Sequence, residues 1–327
     1  MTQTAQTITV GQVKELGGAL LEGIPTQLPR DRAQSLIGDK ERLHELMKFV
    51  LNLPAGVDLD ELRKMLGSYT PFGDEEYTDS EYVYKAGFPR KTWQQRLDIL
   101  RNNFGGLFHE GLEDFIALLQ GRGVDEWVDD AVNPYLVPDW RAVGETYAEA
   151  TVKAWARVAE MAIYKGHTYN YREGVLTEDR LKLVNDEFYR QLESEWGCQL
   201  HGIPTATAHE RLRELRPGPQ TVWPIFAQTG LRHRGRSVRR GHVMYSETEW
   251  ALGPFEVACI ILTDGEDRLT AYEHLGIDAA GAFYRPRAGE GFGDALDFCF
   301  FDVRLVLSGD WVSSPRRGFG SASASLR

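Results

Sequence analysis

The side chains best suited to chemistry in this sequence form an arginine cluster between positions 232 and 240. Five arginines occur within these nine residues, although the chain has a formal net charge of −11. Because a guanidinium group binds a carboxylate or phosphate through two parallel hydrogen bonds, the cluster indicates an anion site. The alternative, which we expect to dominate, is structural pairing with acidic residues such as Glu247, Glu249 and Asp264. The arginines that we assign to possible anion binding are Arg232, Arg236, Arg239 and Arg240.

Other reactive residue types lack the partners that a catalytic or metal site needs. Ser237 lies in the segment GRSVRRG, which does not match the nucleophile elbow of hydrolases. Cys198, His201 and His209 have C-x2-H-x7-H spacing, but no fourth ligand for a closed zinc site is evident nearby. The sequence therefore predicts no catalytic nucleophile, no metal and no cofactor.

Composition excludes several classes of protein. The 42% hydrophobic and 26% charged residues are typical of a globular protein, and the three cysteines are too few for a disulfide framework. The acidic balance argues against nucleic acid as a partner, because nucleic-acid binding needs a basic surface. No apolar run reaches the roughly 18–20 residues of a membrane span, and the first residues do not resemble a signal peptide. We therefore expect a cytoplasmic protein that binds neither membranes nor nucleic acid.

Helical periodicity dominates the chain up to residue 216. The pattern predicts a small helical module over 1–67 and a mainly helical middle domain over 68–216. Within the middle domain, apolar spacing predicts helices over Glu110–Leu119, Glu145–Tyr164 and Thr177–Trp196. Glycine and proline are frequent in 197–219, which therefore marks the predicted domain boundary.

The pattern becomes β-like in the predicted C-terminal domain, 217–327. Alternation predicts strands over Thr221–Gln228, Ser237–Tyr245 and Asp297–Leu307. The apolar run Phe255–Leu262 fits a buried strand or a buried helix equally well. The predicted fold class is thus α+β, with a helical N-terminal two-thirds followed by a β-rich C-terminal domain.

Several segments resemble a known group of proteins. The stretch GRSVRRGHVMYSETEWALGPFEVACIILTDGEDRL, the terminal FGSASASL and the N-terminal ITVGQVKELGGALL resemble a family that small-genome candidate-phylum bacteria encode in many copies. Its members differ mainly near their C-termini, as do the variable proteins that error-prone reverse transcription diversifies. The resemblance implies a C-type-lectin-like fold for the C-terminal domain. It implies no catalytic residue, although formylglycine-generating oxidases share that fold.

The composition of the C-terminal tail agrees with such diversification. Adenine-directed mutation of AAC-type codons does not produce Lys, Glu, Gln, Met or Trp. These residue types are common in the chain, yet Trp311 alone represents them in Asp297–Arg327. A small-residue β-strand region gives a similar depletion, because strands and turns disfavour Glu, Lys and Gln. Both explanations stay open.

The tail also predicts which residues face the core and which face a ligand. Gly318–Ser323 should form a buried strand of small residues, and the core should include Phe298, Phe300, Val303, Leu305 and Leu307. Trp311 is the predicted anchor, because Trp and Arg are frequent among binding hot spots. The predicted binding surface consists of Arg304, Ser308, Asp310, Trp311, Ser313, Arg316 and Arg317.

These patterns favour a non-enzymatic recognition protein whose C-terminal domain binds an unknown protein or another macromolecule. Its surface would combine rigid aromatic side chains with serine and arginine, as recognition surfaces do. One alternative is an enzyme that combines the arginine cluster with Asp264 or Asp267. The other is a structural or assembly protein that docks through residues 9–66.

Overall fold

The computed structural model describes residues 76–80, 91–105, 133–164, 168–170, 176–215, 222–264, 276–287, 289–301 and 304–326. The chain forms two compact units, Met1–Tyr69 and Thr70–Arg327, and every described residue belongs to the second unit. The module predicted over 1–67 and the helix predicted over Glu110–Leu119 therefore lie outside the described residues.

The described part of the chain is α+β, as the sequence predicted. Its helices are α1 Trp93–Phe104, α2 Tyr147–Tyr164, α3 Asp186–Trp196, α4 Thr205–Leu215, α5 Val238–Met244 and α6 Pro254–Asp264. Its strands are β1 Asn133–Pro138, β2 Thr168–Asn170, β3 Leu181–Leu183, β4 Val222–Arg234, β5 Glu249–Ala251, β6 Gly276–Tyr284, β7 Asp294–Phe301, β8 Arg304–Trp311 and β9 Phe319–Ser325. A short 3-10 helix, Trp140–Ala142, joins β1 to α2.

The nine described strands form one mixed sheet. Its order is β1–β4–β9–β6–β7–β8–β2, while β3 also pairs with β6 and β5 with β9. The β9–β6 and β2–β8 pairs are parallel, and the other pairs are antiparallel. Strands β1 and β3 precede residue 217, whereas their partners β4 and β6 follow it. The predicted boundary at 217 therefore lies inside one sheet and does not separate two compact units.

Helix α6 forms the centre of the core. All eleven residues of Pro254–Asp264 are buried, and the helix packs against α1, α2, β1 and β6. Pro254 suits the first helical position, where a backbone N–H has no partner within the helix. Apolar residues on every side are typical of a helix that neighbours surround completely. The run Phe255–Leu262, which periodicity could not assign, is therefore a buried helix.

The strand predicted over Ser237–Tyr245 is wrong, because this segment forms α5. The hydroxyl of Ser237 accepts a hydrogen bond from the backbone N–H of Arg240 at 3.0 Å, which caps the helix. The buried residues of α5 are Val238, Gly241, His242 and Val243, which recur at helical spacing. The β-branched residues of this segment favour a strand, but its serine cap and the helical spacing of its buried residues favour a helix, and a helix forms.

The two long helices predicted in the middle domain have different outcomes. The helix over Glu145–Tyr164 is confirmed, since α2 covers Tyr147–Tyr164. The helix over Thr177–Trp196 is too long, because its first part contains β3 and α3 begins only at Asp186. The side chain of Asn185 accepts from the backbone N–H of Phe188 and fixes the start of α3.

Strand β9 confirms the prediction of a buried strand of small residues. It lies in the middle of the sheet between β4 and β6, and its residues 320–325 are buried. Gly320 faces Gly230, whose φ is 110°, and a Cβ atom on either glycine would clash with the backbone of the other. Small residues at this crossing therefore let the two strands approach closely.

Each face of the sheet packs against different helices. One face, with Phe298, Leu305, Leu307 and Ala322, joins a core that contains α2 and α6. The opposite face contributes Phe283 and other residues to a core that contains α3 and α5. Phe298, Leu305 and Leu307 are thus buried, as the sequence predicted, whereas the side chains of Phe300 and Val303 lie outside the described part of the structure. The second face also carries polar side chains, which form the candidate site.

Candidate functional site

A row of polar side chains crosses the second face of the sheet. Register places Ser321 of β9 beside Asp278 of β6, Asp278 opposite Asp297 of β7, and Asp297 opposite Ser308 of β8. Register partners share a face, so the four side chains are neighbours. Asp278, Asp297 and Ser321 are buried, and the hydroxyl of Ser308 donates to Oδ1 of Asp297 at 3.0 Å. Two carboxylates therefore lie side by side beneath the protein surface.

Arg316, in the turn between β8 and β9, covers this row. Its Nη2 donates to Oδ1 of Asp278 at 2.8 Å and to Oδ2 of Asp297 at 3.1 Å. Its Nε lies 3.5 Å from Oδ2 of Asp310, and its guanidinium carbon lies 3.3 Å from the ring centroid of Phe319. Only 25% of the Arg316 side chain is exposed, so this predicted surface residue is largely held in place by the sheet.

The carboxyl groups around Arg316 are harder to ionise than free carboxyl groups. Burial raises the pKa of Asp278 to about 7, and repulsion by Asp297 and Asp310 adds to this rise against the attraction of Arg316. Burial also raises the pKa of Asp297. Burial opposes the charge of Arg316, but the three aspartates raise its pKa above the ordinary value. Burial and mutual repulsion therefore disfavour the ionised forms of Asp278 and Asp297, although a guanidinium contacts both.

Trp311 stands at the exposed edge of the same region. Its side chain is 72% exposed, more than any other large hydrophobic side chain in the described ranges. Its backbone N–H donates to Oδ1 of Asp310 at 2.7 Å, and its cross-strand partner is Asp294 of β7. Burial raises the pKa of Asp294, and the nearby Asp310 and Glu290 raise it further. An exposed indole thus lies at the end of the strand that also carries Asp310, although alternation along β8 directs these two side chains to opposite faces of the sheet.

The remaining predicted binding residues occupy the same turn or precede it. Ser313 is half-buried and Arg317 is exposed. Nε of Arg317 donates to the backbone carbonyl of Asp79 at 3.3 Å, and the hydroxyl of Ser80 donates to the carbonyl of Arg317 at 2.5 Å. The side chain of Arg304 lies outside the described part of the structure. The structure thus brings together Asp310, Trp311, Arg316 and Arg317 around the β8–β9 turn.

Part of the arginine cluster has a structural role next to this turn. The buried carboxylate of Glu76 accepts from the hydroxyl of Ser237 at 2.7 Å and from the guanidinium of Arg239. The backbone N–H of Arg239 donates to the carbonyl of Val312 at 2.9 Å. Arg239 therefore connects the segment 76–80 to the β8–β9 turn.

Three other arginines of the cluster, Arg232, Arg236 and Arg240, lie close enough to interact electrostatically. Nη1 of Arg236 lies within hydrogen-bond distance of the backbone carbonyl of Arg232 and of Nδ1 of His233. Burial lowers the pKa of Arg236, and the neighbouring Arg240 and Arg232 lower it further. The guanidinium of Arg240 lies over the ring of Tyr77, 5.3 Å from its centroid.

The enzyme alternative required Asp264 beside the arginine cluster, and the structure pairs this residue elsewhere. Oδ1 of Asp264 lies 3.4 Å from Nη2 of Arg96 on α1, and both side chains are buried. Asp267 lies outside the described residues.

His209 is buried between Trp223 and Trp250. Within the described ranges, no group of His, Cys, Asp and Glu side chains is arranged to hold a metal ion.

Sequence reasoning missed Glu76, Asp278 and Asp297 as parts of this region. A signal for the two aspartates is present in the sequence, since each interrupts an otherwise apolar or small-residue strand. Buried carboxylates need partners, so isolated aspartates in such strands predict a buried ionic site. Their common partner, Arg316, cannot be identified from spacing, because it comes from a turn near the C-terminus.

Comparison of the chain with protein-family models, curated proteins and solved structures gives no match. Across the described ranges, none of the helices combines the length and the apolar character that crossing a membrane would require.

Proposed function

We propose that this chain is a recognition protein that binds a macromolecular partner through the β8–β9 turn. The turn surface consists of Tyr77, Asp310, Trp311, Ser313, Arg316 and Arg317. The observation that carries the proposal is the exposed indole of Trp311 at the end of β8, in the segment that leads to the fixed guanidinium of Arg316. Trp and Arg are enriched among residues whose loss costs the most binding energy.

The contacts beneath the turn surface support binding by pre-organisation. Asp278, Asp297 and Phe319 hold Arg316 in one place, so a partner would not have to order this side chain. Tyr77 is 44% exposed and belongs to the segment 76–80, which contacts the turn through Arg317. Aromatic rings, arginine and serine make up the turn surface, a composition that suits recognition.

Diversification of the tail and a C-type-lectin-like fold of the C-terminal part belong to the same proposal. The small residues of β9 form a buried central strand, whereas the turn before it faces solvent. A sequence that varies in the turn and keeps β9 would therefore change the partner without changing the fold. Comparing closely related genes from one genome tests this. Differences confined to adenine positions in turn codons support diversification, and differences spread along the gene contradict it.

Replacement of Trp311 by alanine tests the binding role directly. Partners recovered with the wild-type protein would be purified, and their affinities measured for wild type, Trp311→Ala and Leu215→Ala. Leu215 is a matched control, since it is an apolar residue that is 65% exposed on α4. We expect Trp311→Ala to weaken binding by about tenfold or more, as hot-spot residues do, with an unchanged melting temperature. Equal affinities for wild type and Trp311→Ala would overturn the proposal.

The cytoplasmic location that the sequence suggests stays part of this proposal. Fractionation of cells that produce the full chain, followed by detection of the protein in each fraction, tests it.

A further inference from the structure

The segment 76–80 lies antiparallel to the chain that precedes α5. The backbone N–H of Thr78 donates to the carbonyl of Gly235 at 2.7 Å, and the N–H of Ser237 donates to the carbonyl of Glu76 at 3.1 Å. An isolated β-bridge joins the two chains between these hydrogen bonds. The segment is thus held through its main chain, as peptides are when they dock by strand addition.

One buried side chain anchors this segment. Glu76 is 4% exposed, and its Oε2 accepts from the hydroxyl of Ser237 at 2.7 Å and from Nε of Arg239 at 3.2 Å. Its Oε1 accepts from Nη2 of the same arginine. A guanidinium that donates to both oxygens of a carboxylate recognises the planar shape of that group as well as its charge. The anchor position therefore selects an acidic side chain.

Arginine side chains border the segment on both sides. The guanidinium of Arg240 lies over the ring of Tyr77, 5.3 Å from its centroid, and Nε of Arg317 donates to the carbonyl of Asp79 at 3.3 Å. We define the docking groove as the residues that contact the segment, which are Gly235, Arg236, Ser237, Arg239, Arg240 and Arg317. Most of these residues are arginines, so the docking groove is complementary in charge to an acidic segment.

Apart from its anchor, the segment buries little apolar surface. The side chain of Tyr77 is 44% exposed, Asp79 is exposed, and Thr78 and Ser80 are half-buried. None of the residues 77–80 belongs to a hydrophobic core of the described structure. Because apolar burial supplies most of the stability of a fold, such a segment opens at a lower free-energy cost than the core does. The docking groove can therefore change its occupant while the core stays intact.

We propose that the docking groove binds an acidic segment of a partner protein, and that the segment 76–80 occupies the groove when no partner is bound. The bound segment shows the chemistry of this ligand, which is a glutamate at the anchor followed by an aromatic residue. The partner's aromatic residue would take the place of Tyr77 on the turn surface. The docking groove does not include Trp311, so this inference goes beyond the proposed function.

A synthetic peptide with the sequence of residues 74–80, DEEYTDS, is a defined probe for the groove. In the wild type, the chain's own segment competes with the peptide at the high effective concentration of a tethered ligand. Glu76→Lys in the protein places a cation beside Arg239 and should release the segment. Calorimetry should then show that the peptide binds this variant about tenfold or more tightly than the wild type, the gain expected when about nine-tenths of the grooves were occupied. Glu195→Lys makes the same charge change at an exposed position of α3 and should leave the affinity at the wild-type value.

A second release variant removes a backbone donor instead of a charge. Thr78→Pro lacks the N–H that donates to Gly235, so it should raise the affinity for the peptide as Glu76→Lys does. In the Thr78→Pro protein, a further Arg239→Ala should weaken peptide binding by about tenfold or more, because it removes charge-assisted hydrogen bonds to the anchor. A peptide with Glu76→Gln should lose a similar factor, and a scrambled peptide of the same composition should not bind.

Other outcomes overturn the inference in defined ways. If the peptide binds neither release variant, or binds both only as well as it binds the wild type, the docking groove accepts no ligand from outside the chain. Equal binding of the scrambled peptide would show general attraction instead of a specific site. If the wild type forms dimers that the added peptide separates, the ligand is a second copy of this chain, and the choice of partner is wrong. Trp311→Ala should leave the affinity for the peptide unchanged, so a failure here is distinguishable from a failure of the proposed function.

Discussion

Nε2 of His233 lies 2.7 Å from Oε1 of Glu249, and both side chains are buried. Nδ1 of His233 must accept, because Nη1 of Arg236 lies 3.2 Å away and an arginine nitrogen can only donate. The proton of the neutral imidazole is therefore on Nε2 and is donated to Glu249. The same carboxylate oxygen accepts from the hydroxyl of Ser323, whose oxygen accepts from Nε2 of Gln228 at 2.8 Å. These hydrogen bonds connect β4, β5 and β9.

This arrangement predicts that acid destabilises the fold through Glu249 and His233. Hydrogen bonds and charge from His233 outweigh burial and lower the pKa of Glu249 from 4.5 to about 2. Its contribution is complete above pH 4.5 and is lost as the pH falls towards 2. Burial lowers the pKa of His233 below 6.5, so its contribution is also lost as the pH falls. A fall in pH therefore reduces the contributions of both Glu249 and His233 to the stability of the fold.

The variant Glu249→Gln tests this prediction. It should lower the free energy of unfolding at pH 7 by about 1–3 kcal/mol, because an NH2 group replaces one of the two acceptor oxygens and a donor that faced this oxygen loses its acceptor. It should also reduce the slope of stability against pH between 5 and 2. Urea unfolding at several pH values measures both effects, with the exposed Glu247→Gln as the control. Parallel pH curves for Glu249→Gln and wild type would contradict the assignment.

Local patterns predicted the parts of the fold that depend on near neighbours. The 3.6-residue spacing in Glu145–Tyr164 predicted α2, and the small residues of Gly318–Ser323 predicted the buried strand β9. In both segments the local sequence preference agrees with the structure that the whole fold imposes. The segment Ser237–Tyr245 was misassigned because its β-branched residues conflict with its serine cap, and the packing of α5 decides between them.

Long-range pairing could not be predicted. The boundary at 217 failed to mark a domain, because β1 at Asn133–Pro138 pairs with β4, and no local pattern specifies that partner. The candidate site depends on the same kind of contact. Asp278 and Arg316 are 38 positions apart and meet only because β9 inserts beside β6. Trp311 is exposed, in agreement with the prediction that it faces outward, which was made because Trp is frequent among binding hot spots.

A second prediction concerns the pH dependence of the buried aspartates. The pKa of Asp278 is raised to about 7, so its contribution to stability is complete below 3.8 and is lost as the pH rises to 7. The groups that face it are Arg316, Asp297 and Asp310. The variant Asp278→Asn does not titrate, so it should match wild type at pH 4 and become more stable than wild type above pH 7. We expect a difference of about 1 kcal/mol or more, since each pKa unit corresponds to about 1.4 kcal/mol.

Urea unfolding of Asp278→Asn and of the control Asp98→Asn at pH 4, 6 and 8 measures this difference. Asp98 is exposed on α1. If Asp278→Asn is less stable than wild type at pH 8, the ion pair with Arg316 outweighs the burial of the carboxylate, and the prediction is wrong.

A third prediction concerns the size of the residues in β9. Ala322 is fully buried and faces the core that contains α2 and α6. Ala322→Val adds two methyl groups to a closely packed site and should lower the free energy of unfolding by about 1–3 kcal/mol. The control Ala156→Val, on the exposed face of α2, should cost only about 0.5 kcal/mol through helix propensity. Similar losses for the two variants in urea unfolding would show that β9 does not restrict residue size.

The last prediction separates a structural from a ligand-binding role of the arginine cluster. Glu76 is buried, and its carboxylate contacts the guanidinium of Arg239 and the hydroxyl of Ser237. Arg239→Ala would leave this carboxylate without its cation, so it should lower the free energy of unfolding by about 1–3 kcal/mol. The 22% exposure of the Arg239 side chain keeps the expected loss below that of a fully buried pair. Arg190→Ala, on the exposed face of α3, should have almost no effect.

The double variant Glu76→Gln with Arg239→Ala distinguishes a direct contact from two independent losses. If the two side chains stabilise each other, the double variant should be more stable than the sum of the single losses predicts. Binding of inorganic phosphate, measured on the same proteins, provides the second readout. An unchanged melting temperature for Arg239→Ala, together with a loss of phosphate binding, would show that the cluster serves a ligand. Loss of stability without any phosphate binding would assign Arg239 to holding the segment 76–80 against the turn surface.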